Sequence, residues 1–333
     1  MIINNLNFFL VLFYSFASTV TLIWLVLHFN LSFNIQDQPN KRSLHNKSMP
    51  RTGGIIFIPI ILLMWLILDI DTPLYLSLTV ISLLAISFLD DIRSIPAVVR
   101  LIFHITSALI FVLYLDINLN FFYLAIIVLF LVWMSNLFNF MDGSDGMAAG
   151  MAVMGFCSYA IASYMEGEFS FALENGIIMM CSLGFLLFNF SPSKIFMGDV
   201  GSISLGFLAG AMGIIGWQKE IWAFWFPILI FSPFIIDATM TLLKRILNKE
   251  KFWLAHRGHY YQRLILLGLS HKKTALISYV VMASVSIISL YINFVHNYES
   301  ILIIIFLGYF LSMFYIDIIW ENYLLNNKGK NKR

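Results

Sequence analysis

The sequence predicts an all-α fold, a polytopic transmembrane bundle of about eleven helices with its N-terminus outside and its C-terminus cytoplasmic. Three observations lead there. First, 60% of the 333 residues are hydrophobic and only 11% are charged, with a mean hydropathy of +0.86. A water-soluble domain carries about 25% charged residues, so this chain cannot cover a water-facing surface and lipid must be its main solvent. Second, apolar runs near the length that crosses a bilayer recur along the whole chain. Third, with the N-terminus outside, 19 of the 20 Lys and Arg fall on cytoplasmic segments and only Lys219 falls outside, as the positive-inside rule requires.

The runs, in order, are 7–29, 54–70, 74–89, 98–115, 121–140, 147–165, 171–190, 203–217, 221–243, 274–295 and 301–320. The first lacks a positive n-region and is followed by ten more, so it is expected to be a span and not a cleaved signal. The runs at 74–89 and 203–217 are short enough to tilt or partly re-enter. Trp217, Trp222 and Trp225 cluster where two runs meet, as interfacial anchors do. Cys157 and Cys181 lie inside apolar runs with neither a disulfide framework nor zinc spacing, which assigns them to packing.

Residues 1–325 form one integral membrane domain, followed by a polar basic cytoplasmic tail, 326–333. The expected outer loops, such as Asp69–Pro73 and Gln218–Glu220, are tiny, whereas the two long loops, 30–53 and 244–273, are both cytoplasmic. Function is therefore expected on the inner face, beside membrane lipid. A formal charge of +2 says little in itself, and no nucleic-acid partner is expected.

Polar clusters gather on that face. Pro39–Gly54 combines Lys41, Arg42, Lys47 and Arg51 with His45 and a Gly pair. Cations hold phosphates and Gly permits close backbone approach, although such a loop also serves the positive-inside rule alone. Asp90 and Asp91 end the third run. A charge costs roughly 2.5–3.5 kcal/mol at mid-bilayer and less near the edge, so an adjacent acidic pair suits a metal–phosphate site or a general base, or else a solvated pair bridged to Arg93. In NLFNFMDGSDGMAAG, Asn136 and Asn139 share a helix face, and Asp142, Gly143, Asp145 and Gly146 follow where the helix unwinds. That density of oxygen ligands suits a hard cation such as Mg²⁺. In SPSKIFMGDVGS, Asp199 stands between Gly198 and Gly201 before an apolar helix, facing a metal or capping the helix.

The largest inner loop carries HRGHYYQRL. His256 and His259, with Arg257 between them, are spaced to share a helix face and contact phosphate. With Phe252, Trp253, Tyr260 and Tyr261, the segment also reads as an amphipathic helix on the membrane surface. Asp237, about 10 Å deep in the ninth run at 1.5 Å per residue, is an intramembrane acid and a functional candidate by default.

Taken in order, these motifs resemble the polyprenyl-phosphate N-acetylhexosamine-1-phosphate transferases, of the glycosyltransferase family 4 type, over roughly residues 1–320. The first-loop pattern stands at Asp37, Pro39–Asn40, Arg42–Ser43, His45 and Pro50–Gly54. The aspartate pair is Asp90–Asp91. N-x-x-N-x-x-D-G-x-D-G spans Asn136–Gly146, and F-M-G-D-x-G-S spans Phe196–Ser202. Pro233, Asp237 and Lys244–Arg245 match the intramembrane pattern, and His256–His259 the last-loop motif. HRGHYYQ looks like the O-antigen-initiating branch and departs from the triple-histidine form of the peptidoglycan branch.

The resemblance implies an enzyme of the bacterial inner membrane that takes a UDP-N-acetylhexosamine and polyprenyl (undecaprenyl) phosphate, with Mg²⁺ or Mn²⁺ as cofactor. A homodimer is common in such a family. It implies that Asp199 and Asn139 ligate the metal and that Asp142, Gly143, Asp145 and Phe196 frame uridine. Asp90 and Asp91 would sit at the lipid phosphate, as base or as covalent nucleophile. Lys47, Arg51, Arg93, Arg100, His256, Arg257 and His259 would hold phosphates or sugar, with Asn136 and Asp237 also on the substrate side and Asp199, His256 and His259 in the catalytic set. The rival class is a multi-span lipid or solute transporter, which would carry polar groups through the depth of the membrane.

Overall fold

A computed structural model describes residues 5–31, 36–37, 48–68, 72–93, 95–115, 117, 120–251, 256–295 and 299–330. Lys47 and most of the first loop, with Phe252 and Trp253, lie outside the described residues. The described chain is almost wholly helical: α1 (Asn5–His28), α2 (Gly53–Ile67), α3 (Leu74–Arg93), α4 (Ala97–Tyr114), α5 (Phe121–Met141), α6 (Met147–Met165), α7 (Phe169–Asn189) and α8 (Gly198–Gln218) come first. They are followed by α9 (Trp225–Ile230), α10 (Ser232–Leu247), α11 (Tyr260–Leu266), α12 (His271–Val295) and α13 (Glu299–Lys330). The described strands are a two-residue antiparallel pair, β1 (Gln36–Asp37) with β2 (Met49–Pro50).

Nine of these helices are long and apolar enough to cross a membrane. The two runs expected to be short are not: α3 and α8 have 20 and 21 residues, because Asp90–Arg93 and Gly198–Ser202 continue the helical hydrogen bonding beyond the apolar stretch. The ninth run is broken at Phe231, with Pro233 in the first turn of α10, where its missing N–H is tolerated but a continuous helix would not be. α13 runs on to Lys330, so the tail begins as helix.

α8 is the axis. Its spanning stretch is 94% buried, and its Gly and Ser residues explain why: small side chains let helix backbones approach in lipid. At Gly206 an added Cβ would lie 2.4 Å from the Met134 carbonyl oxygen of α5, and at Gly54 one would lie 2.2 Å from the Gly201 amide. α2, α3 and α5 pack on α8, α4 packs on α3 and α5, and α6, α7 and α1 form the other flank. Trp222 belongs to this core, 3% exposed and stacked on Tyr159 and Phe226. It is therefore not an interfacial anchor, because its indole N–H finds the Gly213 carbonyl inside the bundle. Cys181 is buried and Cys157 half-buried, both as free thiols.

Candidate active site

The ends of α2, α3, α4, α5 and α8 meet at one end of the bundle and bring their charged residues together. Asp199, in the first turn of α8, accepts from Arg51 Nη2 at 3.1 Å and from Arg100 Nη1 at 3.0 Å. Arg100 also donates to Asp90 at 2.6 Å, and Arg51 lies 3.6 Å from Asp91. Asp90 takes the Ile95 amide as well, closing the turn from α3 to α4. The Asp91 side chain is 1% exposed, and its Oδ2 has no hydrogen-bond partner.

Backbone pairing holds this geometry. The Gly53 and Gly54 amides donate to the Phe196 and Met197 carbonyls at 3.0 and 2.9 Å, and the Phe196 amide donates to Pro50 at 2.8 Å. Gly198 has φ +71°, and a Cβ there would meet the Arg51 carbonyl at 2.8 Å and Asp91 Oδ2 at 2.9 Å. Only glycine fits that left-handed, crowded position. Asp199 does not cap its helix by its side chain; its amide instead donates to Asp91 at 3.4 Å. Burial works against the Arg51 charge, but Asp199, Asp91 and Asp37 outweigh it and raise its pKa.

The end of α5 joins this cluster to the histidine loop. Asn139 donates to Asp199 at 3.4 Å, while its carbonyl accepts from Ser202. Burial pushes the Asp142 carboxyl well above the usual carboxylate range, with Arg51 opposing and Asp199 and Asp91 adding to the rise. Gly143 lets Tyr261 close in: a Cβ there would lie 2.3 Å from the Tyr261 hydroxyl, which donates to the Phe140 carbonyl at 3.0 Å. Asp145 is turned to the loop before α8, accepting from the Ser193 amide and hydroxyl. Asn136 donates to the Val132 carbonyl of its own helix, and exposed Arg93 takes no part in the pairs named.

His256 and His259 do come together, but not on a helix face. Both precede α11, in a turn where their rings stack at 4.9 Å. His259, Tyr260 and Tyr261 are buried, so among the described residues these side chains do not form the apolar face of a helix lying on the surface. The cause is Asp237, which accepts from the Tyr260 and Tyr261 amides at 2.9 and 3.1 Å and sits 3.3 Å from His259 Nδ1. Burial, with His259 and Arg245 nearby, lowers the His256 pKa to about 4. Its Nδ1 accepts from the Gly258 amide, which leaves the proton of the neutral ring on Nε2, free to donate. Arg257 is half-buried in the same turn.

Two further groups escaped the sequence reading. Arg263 and Asp317 tie this loop to α13, and Asn189 holds the Gly146 amide and the Ile195 carbonyl together. Asp317 lies inside the last apolar run, so the reasoning that singled out Asp237 applied to it equally. Among the described residues, no group of three His, Cys, Asp or Glu is placed to hold a metal.

Residues 73–217 match the family described as glycosyl transferase family 4. The chain is 30% identical to the Bacillus subtilis probable undecaprenyl-phosphate N-acetylglucosaminyl 1-phosphate transferase, over 88% of this chain and 86% of that one. It is 27% identical to the phospho-N-acetylmuramoyl-pentapeptide-transferase of Halalkalibacterium halodurans, over 76% and 88%, and 28% identical to that of Listeria innocua, over 63% and 73%. The family match contains α3, α4, α5 and nearly all of α8, which carry Asp90, Asp91, Arg100 and Asp199, and the Bacillus subtilis relative matches 88% of the chain; the protein therefore belongs to the polyprenyl-phosphate hexosamine-1-phosphate transferases, integral membrane enzymes of sugar-phosphate transfer.

Proposed function

We propose that this enzyme transfers N-acetylhexosamine-1-phosphate from a UDP-N-acetylhexosamine to undecaprenyl phosphate at the cytoplasmic face of a bacterial inner membrane. UMP is released, and the lipid-linked product starts an O-antigen or a related cell-envelope glycan. The observation that carries this reading is the convergence of Asp90, Asp91 and Asp199 with Arg51 and Arg100 at one end of an otherwise apolar bundle. A phosphate oxygen of the lipid attacks the sugar-bearing phosphorus of the donor. The bond from that phosphorus to the bridging oxygen breaks, and its electron pair leaves with UMP.

The difficulty is electrostatic, since two phosphate groups must meet. Repulsion between two unit charges at 4 Å is about 4 kcal/mol at an effective dielectric near 20. Arg51 and Arg100 supply two cations already placed at the point of attack. His256, donating from Nε2, and Arg257 would hold donor phosphate or sugar, while Asp142, Gly143 and Asp145 would frame the uridine. The lipid phosphate has a second pKa near 6, so Asp90 or Asp91 has little proton to remove at neutral pH and serves mainly to orient.

Mg²⁺ fits the donor set. Such an ion is held by one or two carboxylates with substrate phosphates and water completing the shell, so a cage of three protein ligands is not required. Asp199, and Asp91 with its buried partnerless Oδ2, are the oxygens on hand, with Asn139 joining them once its amide turns its oxygen from Ser202. The ion would neutralise charge on the transferring group.

The test is UMP release by purified protein given undecaprenyl phosphate, Mg²⁺ and a panel of UDP-N-acetylhexosamines. Release that requires both lipid and metal is expected, and the panel identifies the sugar. Folded protein that releases UMP from none of them overturns the reading.

A further inference from the structure

α13 differs from every other long helix described. None of its spanning stretch is fully buried, yet it carries an acid, Asp317, to which three groups from other elements converge. Lys244 of α10 donates to it, Arg263 of α11 donates at 2.7 Å, and the Tyr260 hydroxyl donates at 3.2 Å. Higher in the same helix one polar contact docks α13, between Tyr309 and Ser232 at 2.9 Å. A carboxylate on so exposed a helix is stable near lipid only because these partners surround it.

Arg263 gives the node its consequence. While Nη1 holds Asp317, Nε donates to the Gly258 carbonyl at 2.8 Å. Gly258 stands in sequence between His256 and His259, whose rings stack on each other, and its amide donates to His256 Nδ1. The Arg263 guanidinium is planar and lies against the Tyr260 ring at 4.8 Å and the Trp320 ring of α13 at 5.8 Å. A rigid fork clamped between two aromatic faces transmits the position of α13 to the loop backbone. Asp237 grips that loop from α10 and Asp317 grips it from α13.

We propose that Asp317 is a positioning residue for the transfer reaction, setting through Arg263 the turn that carries His256, Arg257 and His259. The proposal rests on the reading that this turn holds the sugar-nucleotide donor. Asp317 itself touches no substrate. Its effect on catalysis is through the loop, so it falls on the donor and not on the lipid acceptor.

The experiment uses full-length protein with Asp317→Asn, Asp317→Glu, Arg263→Lys and, as a control for docking alone, Tyr309→Phe. Two readouts are taken: hydrogen exchange of the 256–262 amides and steady-state kinetics against each substrate. Asp317→Asn and Arg263→Lys are expected to exchange faster over 256–262 and to raise the donor KM about tenfold with the acceptor KM unchanged. Asp317→Glu is expected to recover part of both, and Tyr309→Phe to change neither. Unchanged exchange in Asp317→Asn overturns the proposal. So does faster exchange with unchanged donor KM, or an equal effect from Tyr309→Phe, because either makes α13 a staple of the fold alone. Faster exchange in a protein that transfers no sugar phosphate from any donor supports the clamp and overturns the proposed function instead.

Discussion

Asp199 and Asp237 are equally buried, each 7% exposed, and each anchors one half of the site, yet their partners are of different kinds. Asp237 is satisfied by two backbone amides, with Thr241 and His259 beside it. Those amides cannot move without unwinding the start of α11. Asp199 is satisfied by the side chains of Arg51, Arg100 and Asn139, and in the proposed reaction these swing to incoming phosphates and free its oxygens. A buried acid held by backbone builds structure, whereas one held by cationic side chains is poised for ligand exchange. Burial alone does not separate them.

The largest effect should come from Asp199→Asn. In the proposed reaction it removes the charge facing the transferring group, and it is expected to lower turnover about 10²–10³-fold, the range seen when one transition-state contact is lost. The thermal midpoint in detergent should move less than in Asp237→Asn, because Arg100 keeps Asp90 and Arg51 keeps Asp91 as carboxylate partners. Asp237→Asn should do the reverse. With one acceptor oxygen in place of two, an amide of Tyr260 or Tyr261 loses its partner, at about 1–3 kcal/mol, and thermal unfolding should report that loss.

Gly143→Ala probes the joint between the halves. The new methyl displaces the Tyr261 hydroxyl from the Phe140 carbonyl, a hydrogen bond worth about 1 kcal/mol. Turnover should fall several-fold, with Tyr261→Phe in the same background adding little further loss. The smallest effect concerns pH. His256 stays neutral in the folded protein down to about pH 4, whereas an unfolded histidine takes a proton near 6.5. The unfolded state therefore binds more protons between those values, so the stability linked to His256 is present above pH 6.5 and declines as pH falls toward 4. His256→Gln should flatten that part of the melting profile.

Fold class and family were legible in the residues. Apolar runs gave the bundle, and the ordered motifs gave the family, which sets aside the transporter alternative. Asp90, Asp91, Arg51, Asn139 and Asp199, all from the motifs, do converge, together with Arg100, which lies in none of them. Periodicity does not show that the ninth run breaks at Phe231, a break that Pro233 marks, nor that Trp222 turns inward, which depends on the neighbours packed there. The histidine turn was missed as a turn because Asp237, remote in sequence, captures its amides. Asp317 belonged to no motif and Arg263, although within HRGHYYQRL, was given no role, and their pairing joins residues 54 apart.

The most direct test of the division between the two acids is UMP release per folded molecule in Asp199→Asn beside Asp237→Asn, with folded protein counted by monodisperse gel filtration. The account predicts that Asp199→Asn loses nearly all turnover while remaining folded, and that Asp237→Asn loses folded protein while each surviving molecule keeps most of its turnover at saturating donor, its loosened turn showing as a raised donor KM. Near-wild-type turnover in Asp199→Asn would contradict it, and would move the transfer centre away from the Asp–Arg cluster.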